Sequence, residues 1–278
     1  YQNLIFFEAA RMMHLASPGR VLFALVSYLP VPAMLGEMKT KPTQHAVRLL
    51  NESGIQPDII IARAVVSLDM PRKKKIAVFC NVREADVISA PDVKNIYEVP
   101  INFEKEKISE RILEKFGIPV RKSDLGSWKR LQKKIASAKT RVSIGIVGKY
   151  FATGKFTLAD SYISVIEAVK HAAWHAGVTP DIQWLDAEQY EASKRNLREL
   201  DALDGIIVPG GFGERGIEGK MRAIRYARER QIPFFGLCYG MQLAAIEFAR
   251  AKAGLKKALT TEVDPQTPHP VIATMEEQ

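Results

Sequence analysis

The sequence is poor in cysteine, in long apolar runs and in compositional bias, and each shortage removes a class of protein. Only Cys80 and Cys238 occur in 278 residues. Two cysteines so far apart build no disulfide framework, and a cytoplasmic compartment follows as the default. Neither has a second cysteine at ligand spacing, so no metal site is expected within the chain. No apolar run reaches the about 18 residues of a membrane span. The most apolar stretch, 21–35, is broken by Ser27, Tyr28, Pro30 and Pro32 and reads as strand and loop. The first residues lack the basic region of a signal peptide. There is no internal repeat, no low-complexity tract, and no zinc-finger or RNP-type signature.

What is present is an ordinary globular composition, 47% hydrophobic, with a net charge of +9. Such a surplus suits a polyanionic partner. The basic residues are dispersed, with one cluster at Arg72–Lys75. Without a nucleic-acid motif this favours a phosphorylated small molecule over nucleic acid.

Apolar strand-like runs alternate with amphipathic helical runs, the pattern of an α/β protein with parallel sheets. In the first half the pattern predicts strands at 20–26, 58–62, 75–81 and 95–99, with helices at 41–53 and 104–116. Residues 117–140 are polar and basic, with a short helix at 128–138, and read as a boundary. The second half predicts strands at 141–147, 181–185, 204–209 and 232–237, and helices at 160–176, 219–230 and 241–251. That is the layout of a doubly wound domain, whose sites lie at the carboxyl ends of its strands.

Two constellations carry chemistry. The first is Phe234-Phe-Gly-Leu-Cys-Tyr-Gly-Met-Gln242. A buried strand ends at Cys238 and a helix begins at once. So sharp a turn requires small residues on either side, which Gly236 and Gly240 provide, as in the nucleophile elbow of hydrolases. Helix-start N–H groups favour a thiolate there. The run Val208-Pro-Gly-Gly-Phe-Gly213 places bare backbone after another strand, where N–H groups can face an oxyanion. A thiol nucleophile also needs a base. None of His14, His45, His171, His175 and His269 has a clear claim, and the i, i+4 pair His171/His175 lacks the carboxylate of a zinc-protease motif. The second constellation is Gly36-Glu-Met-Lys-Thr-Lys-Pro-Thr-Gln44. Two lysines flank a threonine just before a helix, a combination complementary to phosphate. Lys75, placed at the start of a predicted strand, could converge on it.

Together these motifs resemble the CTP synthase family. Lys39-Thr-Lys-Pro-Thr-Gln44 looks like its pyrimidine-nucleotide motif, and Gly54-Ile-Gln-Pro-Asp-Ile59, Lys75–Val82 and Ile96–Pro100 continue the match. Val208–Gly213, Gly216, Glu218-Gly219 and Gly236–Gln242 match its glutaminase domain. The resemblance implies a partial P-loop-type amidoligase (synthetase) domain over 1–117, a linker over 118–140 and a partial class I glutamine amidotransferase domain over 141–278.

By that resemblance Lys39, Thr40, Lys41, Pro42, Thr43, Gln44 and Lys75 would bind UTP, or CTP as feedback inhibitor. Pro91, Asp92 and Val93 would contact ATP, whose Mg2+ would be held by residues outside this chain. Cys238 would attack glutamine, with Gly211, Tyr239, Gly240, Met241, Gln242 and Glu262 forming the pocket. Phe212 would lie where the activator GTP acts. Tyr239 stands where the family usually has leucine. The resemblance also implies a homotetramer, with filaments in some members. It places a P-loop before Tyr1 and the catalytic His and Glu after Gln278, so the 278 residues alone are expected to be inactive. The alternatives are another class I glutamine amidotransferase, or a non-catalytic nucleotide-binding or filament scaffold.

Overall fold

A computed structural model describes residues 2–34, 36–121, 124–148, 152–153, 156–157, 162–211 and 216–275. The chain divides into two compact units, 1–133 and 134–278.

In the first unit, strands β1 (Ala24–Tyr28), β2 (Ile59–Ala64) and β3 (Val87–Pro91) form a parallel sheet in that order. Its helices are α1 (Leu4–Ala16), α2 (Lys41–Glu52), α3 (Met70–Cys80), α4 (Val99–Lys105) and α5 (Ile108–Lys115). The alternation along β2 explains the layering. Ile60, Ala62 and Ala64 share a core with Val47 of α2 and with Ile76, Ala77 and Cys80 of α3. Ile59 and Ile61 face the other way, against Phe103 of α4 and Ile108 and Ile112 of α5. Both Ile59 and Ile60 are fully buried, each burial contributing about 2 kcal/mol.

Three expectations for this unit need correction. Residues 75–81 form the end of helix α3, not a strand. Asp69 caps it by accepting from Arg72 N–H, Pro71 fits its first turn, and Asn81 ends it in the left-handed region at φ 53°. The apolar run 76–80 looked like a strand, yet only Ile76, Ala77 and Cys80 are buried, at helical spacing, while Val78 and Phe79 are exposed. Residues 95–99 are likewise no strand. Asn95 accepts from Tyr97 N–H and starts a 3-10 turn leading into α4. The third strand is β3, short and interrupted by the polar Ser89. The helix expected over 104–116 breaks at Lys107, whose φ is 57°.

A buried carboxylate ties β3 to α5. Asp86, 1% exposed, meets Arg83 Nε at 3.0 Å, Arg111 Nε at 3.1 Å and Lys115 Nζ at 2.9 Å. Burial pushes its carboxyl up, but the hydrogen bonds from Lys115, Arg83 and Arg111 outweigh this and hold it below the usual carboxylate range. A folded-state value below the unfolded one gives stability that is present above about pH 4 and lost as pH falls through the folded value. Asp86→Asn is therefore expected to lower unfolding free energy by roughly 3 kcal/mol at pH 7. In urea titrations the deficit should shrink steadily below about pH 4. A deficit that does not vary with pH would mean that the charge is not what Asp86 contributes.

Helix α6 (Gly126–Ser137) carries the chain across the boundary between the units. Trp128 Nε1 donates to the Tyr97 carbonyl, fastening the start of α6 to the first unit.

The second unit contains strand β4 (Arg141–Gly148), a small hairpin of β5 (Ala152–Thr153) and β6 (Phe156–Thr157), and helix α7 (Ile163–Ala176). It continues with β7 (Thr179–Asp186), helix α8 (Ala187–Ala192), β8 (Gly205–Val208), helix α9 (Ile217–Arg230), β9 (Phe234–Gly236) and helix α10 (Tyr239–Ala251). Strands β10 (Ala258–Thr260) and β11 (His269–Ile272) end it. The main sheet is all parallel in the order β7-β4-β8-β9. The chain moves outward from β4 to β7, then crosses back to β8, so the order reverses beside β4. This is the switch point at which doubly wound sheets open a crevice. The start expected for α7, residue 160, lies outside the described residues.

Helices α9 and α10 close over one core with Val208, Leu185 and Tyr190. Their mutual angle is fixed by a bidentate pair, Arg228 Nε and Nη2 to Glu247 at 2.9 and 2.7 Å, with Glu247 nearly buried. Among the described residues no helix is long and apolar enough to cross a membrane.

Candidate functional site

In the second unit the carboxyl ends of β8 and β9 lie side by side, and the chain leaves both through glycine. After β9 it passes Leu237, whose N–H donates to the Val208 carbonyl at 2.9 Å, and reaches Cys238. Cys238 has φ 51° and ψ −109°, a region non-glycine residues avoid. Helix α10 begins at the next residue. Cys238 is also its N-cap, and its carbonyl accepts from Met241 and Gln242 N–H at 3.1 and 3.2 Å. Strain of this kind persists only where the surroundings enforce it. Here they do: a Cβ at Gly236 would lie 2.7 Å from the Gly240 carbonyl carbon, and a Cβ at Gly240 would lie 2.0 Å from the Val208 oxygen. The two glycines expected around the turn are thus required by close backbone approach.

The Cys238 thiol is exposed. On the glycine-loop side, a Cβ at Gly210, after β8, would lie 3.3 Å from Cys238 Cβ and 3.8 Å from Sγ. Bare backbone therefore faces the sulfur. Sequence reasoning had singled out Gly211, which follows directly and is half-buried. Phe212 lies outside the described residues.

Tyr239 is buried, and the ring lies 6.0 Å from Nζ of the buried Lys220 on α9. Gly240 is buried, whereas Met241 is exposed and Gln242 half-buried. Glu262 is exposed just after β10, with its N–H donating to Thr260 Oγ1. The next residue, Val263, packs on the core that holds Tyr239 and Leu243. Among the described residues no histidine nitrogen hydrogen-bonds the Cys238 sulfur. His14 faces the Val21 carbonyl and His45 is exposed on α2, both in the first unit. His171 and His175 lie on α7, and His269 opens β11. Among the described residues no group of three or more His, Cys, Asp or Glu could hold a metal ion.

In the first unit the predicted nucleotide segments leave the carboxyl edge of one parallel sheet. The chain from β1 runs through Lys39, whose N–H donates to the Pro30 carbonyl, into α2. The chain from β2 runs into α3. Pro91 ends β3, and Asp92 N–H donates to the Ala64 carbonyl at 2.8 Å. Asp92 Oδ1 accepts from Arg63 at 2.7 Å, and Val93 is half-buried.

The side chains of the lysine–threonine motif divide in two. Thr43 is buried and its hydroxyl is 2.9 Å from that of Ser27 on β1. Thr40 is buried and its hydroxyl accepts from Gln44 Nε2. Pro42 occupies the first turn of α2. These four brace the loop. Lys39 and Lys41 face outward, Lys41 with Nζ 5.9 Å from the Phe79 ring centroid.

Lys75 lies on helix α3 and not at the start of a strand. It contributes to the positive field at Glu37, as does Arg72, and these two lie three apart on α3. The strand expected over 75–81 began after Arg72, so the sequence did not put Arg72 and Lys75 on one element. Cys80, by contrast, is sealed in the core, and burial pushes its thiol up to about 11.

A strained, exposed cysteine between a parallel strand and a helix, with glycine backbone against it, is the geometry of a glutamine amidotransferase domain. Residues 157–276 match the family described as glutamine amidotransferase class-I, and residues 1–118 match the one described as CTP synthase N-terminus. The chain belongs to the CTP synthase family. It is 49% identical over 279 residues to the CTP synthase of Thermococcus gammatolerans and 47% identical over 278 residues to that of Sulfurisphaera tokodaii. Both alignments take in 100% of this chain and 51% of the relative. A solved structure described as the Trypanosoma brucei CTPS glutaminase domain with bound acivicin is 37% identical, with a TM-score of 0.45. That match covers 49% of this chain and 50% of the solved one. The chain spans about half the length of the curated relatives it matches.

Proposed function

We propose that this chain supplies the nucleotide-binding and glutaminase parts of an enzyme that converts UTP to CTP with ATP and glutamine. The observation that carries this reading is the coexistence, in one chain, of a lysine-bearing loop on a parallel sheet edge and a strained cysteine elbow on another. On this reading residues 1–117 are synthetase, 118–140 linker and 141–278 glutaminase.

In the glutaminase, Cys238 Sγ attacks the amide carbon of glutamine. The oxyanion faces backbone N–H groups at Gly211 and at the start of α10. Collapse breaks the C–N bond, and ammonia leaves with a proton. Water then cleaves the thioester, giving glutamate and free thiol. Gly211, Tyr239–Gln242 and Glu262 hold the glutamine.

In the synthetase, Lys39, Lys41 and Lys75 neutralise the UTP phosphates, and Thr40, Pro42, Thr43 and Gln44 keep the loop in shape. Pro91–Val93 meet ATP. ATP phosphorylates O4 of UTP, turning a poor leaving group into a good one, and ammonia displaces the phosphate. Enclosure keeps that ammonia from water and protonation. Mg2+ bound with ATP neutralises phosphate charge, and the described residues offer it no cluster of ligands. CTP as inhibitor, GTP as activator near Phe212, a homotetramer and a cytoplasmic location complete the proposal.

The test is protection of lysines from an acylating reagent, read by mass spectrometry. UTP should slow modification of Lys39 and Lys41 and leave the exposed Lys129 on α6 unaffected. No protection at saturating UTP would favour an amidotransferase with another acceptor.

A further inference from the structure

The loop before α2 carries an acidic residue that the phosphate reading leaves unexplained. Glu37 Oε2 accepts a hydrogen bond from Lys39 Nζ at 2.6 Å. Its other carboxylate oxygen lies 4.0 Å from Arg72 Nη2. The pairing with Lys39, and the nearby charges of Arg72 and Lys75, hold the Glu37 carboxyl below the usual carboxylate range. The one carboxylate thus sits among three of the cations available to a phosphorylated ligand.

Arg72 is held in place independently. Its guanidinium pairs with Asp69, the N-cap of α3, and its Nε reaches the Met38 carbonyl at 3.5 Å. The cation next to Glu37 therefore belongs to the scaffold, while Glu37 is 59% exposed and among the described residues pairs only with Lys39 and Arg72.

We propose that Glu37 is a tethered counter-ion: in the unliganded chain it occupies the place that the terminal phosphates of a nucleotide take, and it must leave Lys39 before they bind. Arg72 then becomes a further phosphate contact beside Lys39 and Lys75. The chemistry is competitive. A carboxylate offers one charge on a flexible stem, whereas a polyphosphate offers several to Lys39, Arg72 and Lys75 at once. An exposed ion pair is weak, so Glu37 lowers the affinity of a polyphosphate by a factor of about two to five. It thereby keeps singly charged anions out of an empty site without barring the ligand.

This inference rests on the nucleotide reading of the loop, and the experiment separates the two. Binding of UTP and of inorganic tripolyphosphate to the 278-residue chain is measured by titration calorimetry at about 50 mM and about 500 mM salt. Glu37→Gln is compared with Glu52→Gln, which makes the same charge change at the far end of α2. Glu37→Gln should bind both probes about two- to fivefold tighter at low salt, with the gain fading at high salt, and Glu52→Gln should match the wild type. Equal or weaker binding by Glu37→Gln relative to Glu52→Gln overturns the counter-ion. If tripolyphosphate shows the gain but UTP binds no better than tripolyphosphate, the counter-ion stands and the nucleotide reading falls. If neither probe binds saturably, both fall.

Discussion

On the proposed function, Cys238→Ala in an enzyme that carries this chain is expected to reduce glutamine-dependent CTP formation by about a thousandfold or more, while formation from added ammonium salt stays close to wild type. Glutamine hydrolysis needs the thiolate to form a thioester, and no backbone donor can replace a nucleophile. Ammonia supplied from outside bypasses that step. The two thiols of the chain provide an internal control. Cys238 is exposed at a helix N-terminus, whereas Cys80 is buried with its thiol pushed up to about 11. Iodoacetamide at neutral pH should therefore label Cys238 and spare Cys80, and labelling should remove the same activity as the substitution. Alanine also relieves little at this turn, because the positive φ stays with the backbone. Equal loss of glutamine- and ammonia-dependent synthesis would show that Cys238 holds the fold together instead.

The elbow was legible in the sequence because its constraint is local. A strand, a cysteine and a helix with glycine two residues to either side admit few backbone paths. The doubly wound sheet of the second unit was legible for a related reason: most of its strands hold an apolar run with turn residues at the ends, although β7 also carries Asp181 and Gln183. The first unit was harder to read. Its α3 helix carries apolar residues 76–80 in an unbroken run, so periodicity could not tell helix from strand. The deciding signals were Asp69 and Pro71 at its start and Asn81 at its end. With 75–81 as strand, Arg72 falls outside the element that carries Lys75. As helix the two lie three residues apart, and Arg72 Nη2 comes within 4.0 Å of Glu37 in the loop before α2. What the sequence alone could not give was how near the backbone at Gly210 lies to Cys238, since that depends on how two strands align in space.

Gly240→Ala is the substitution expected to damage the chain most without touching a reactive atom. The first turn of α10 lies against the end of β8, where the Val208 carbonyl already accepts from Leu237 N–H. A methyl group at Gly240 would sit 2.0 Å from that oxygen, 2.8 Å from its carbon and 3.1 Å from Val208 Cβ. The first two are backbone atoms of a buried central strand and the Cβ is fixed to that backbone, so no rotation can relieve the clash, and α10 must move away from β8. Overpacking against mobile neighbours costs about 1–3 kcal/mol, and here the loss should lie at or above the top of that range. Gly19→Ala gives the baseline, because nothing lies within 4 Å of a Cβ there. Thermal melts should show a large fall for Gly240→Ala and almost none for Gly19→Ala. The displacement also carries Cys238 away from Gly210, so the rate of alkylation at Cys238 should change in whatever protein remains folded. If Gly240→Ala kept both stability and reactivity, the close approach of α10 to β8 would not be what forces the cysteine into its strained turn.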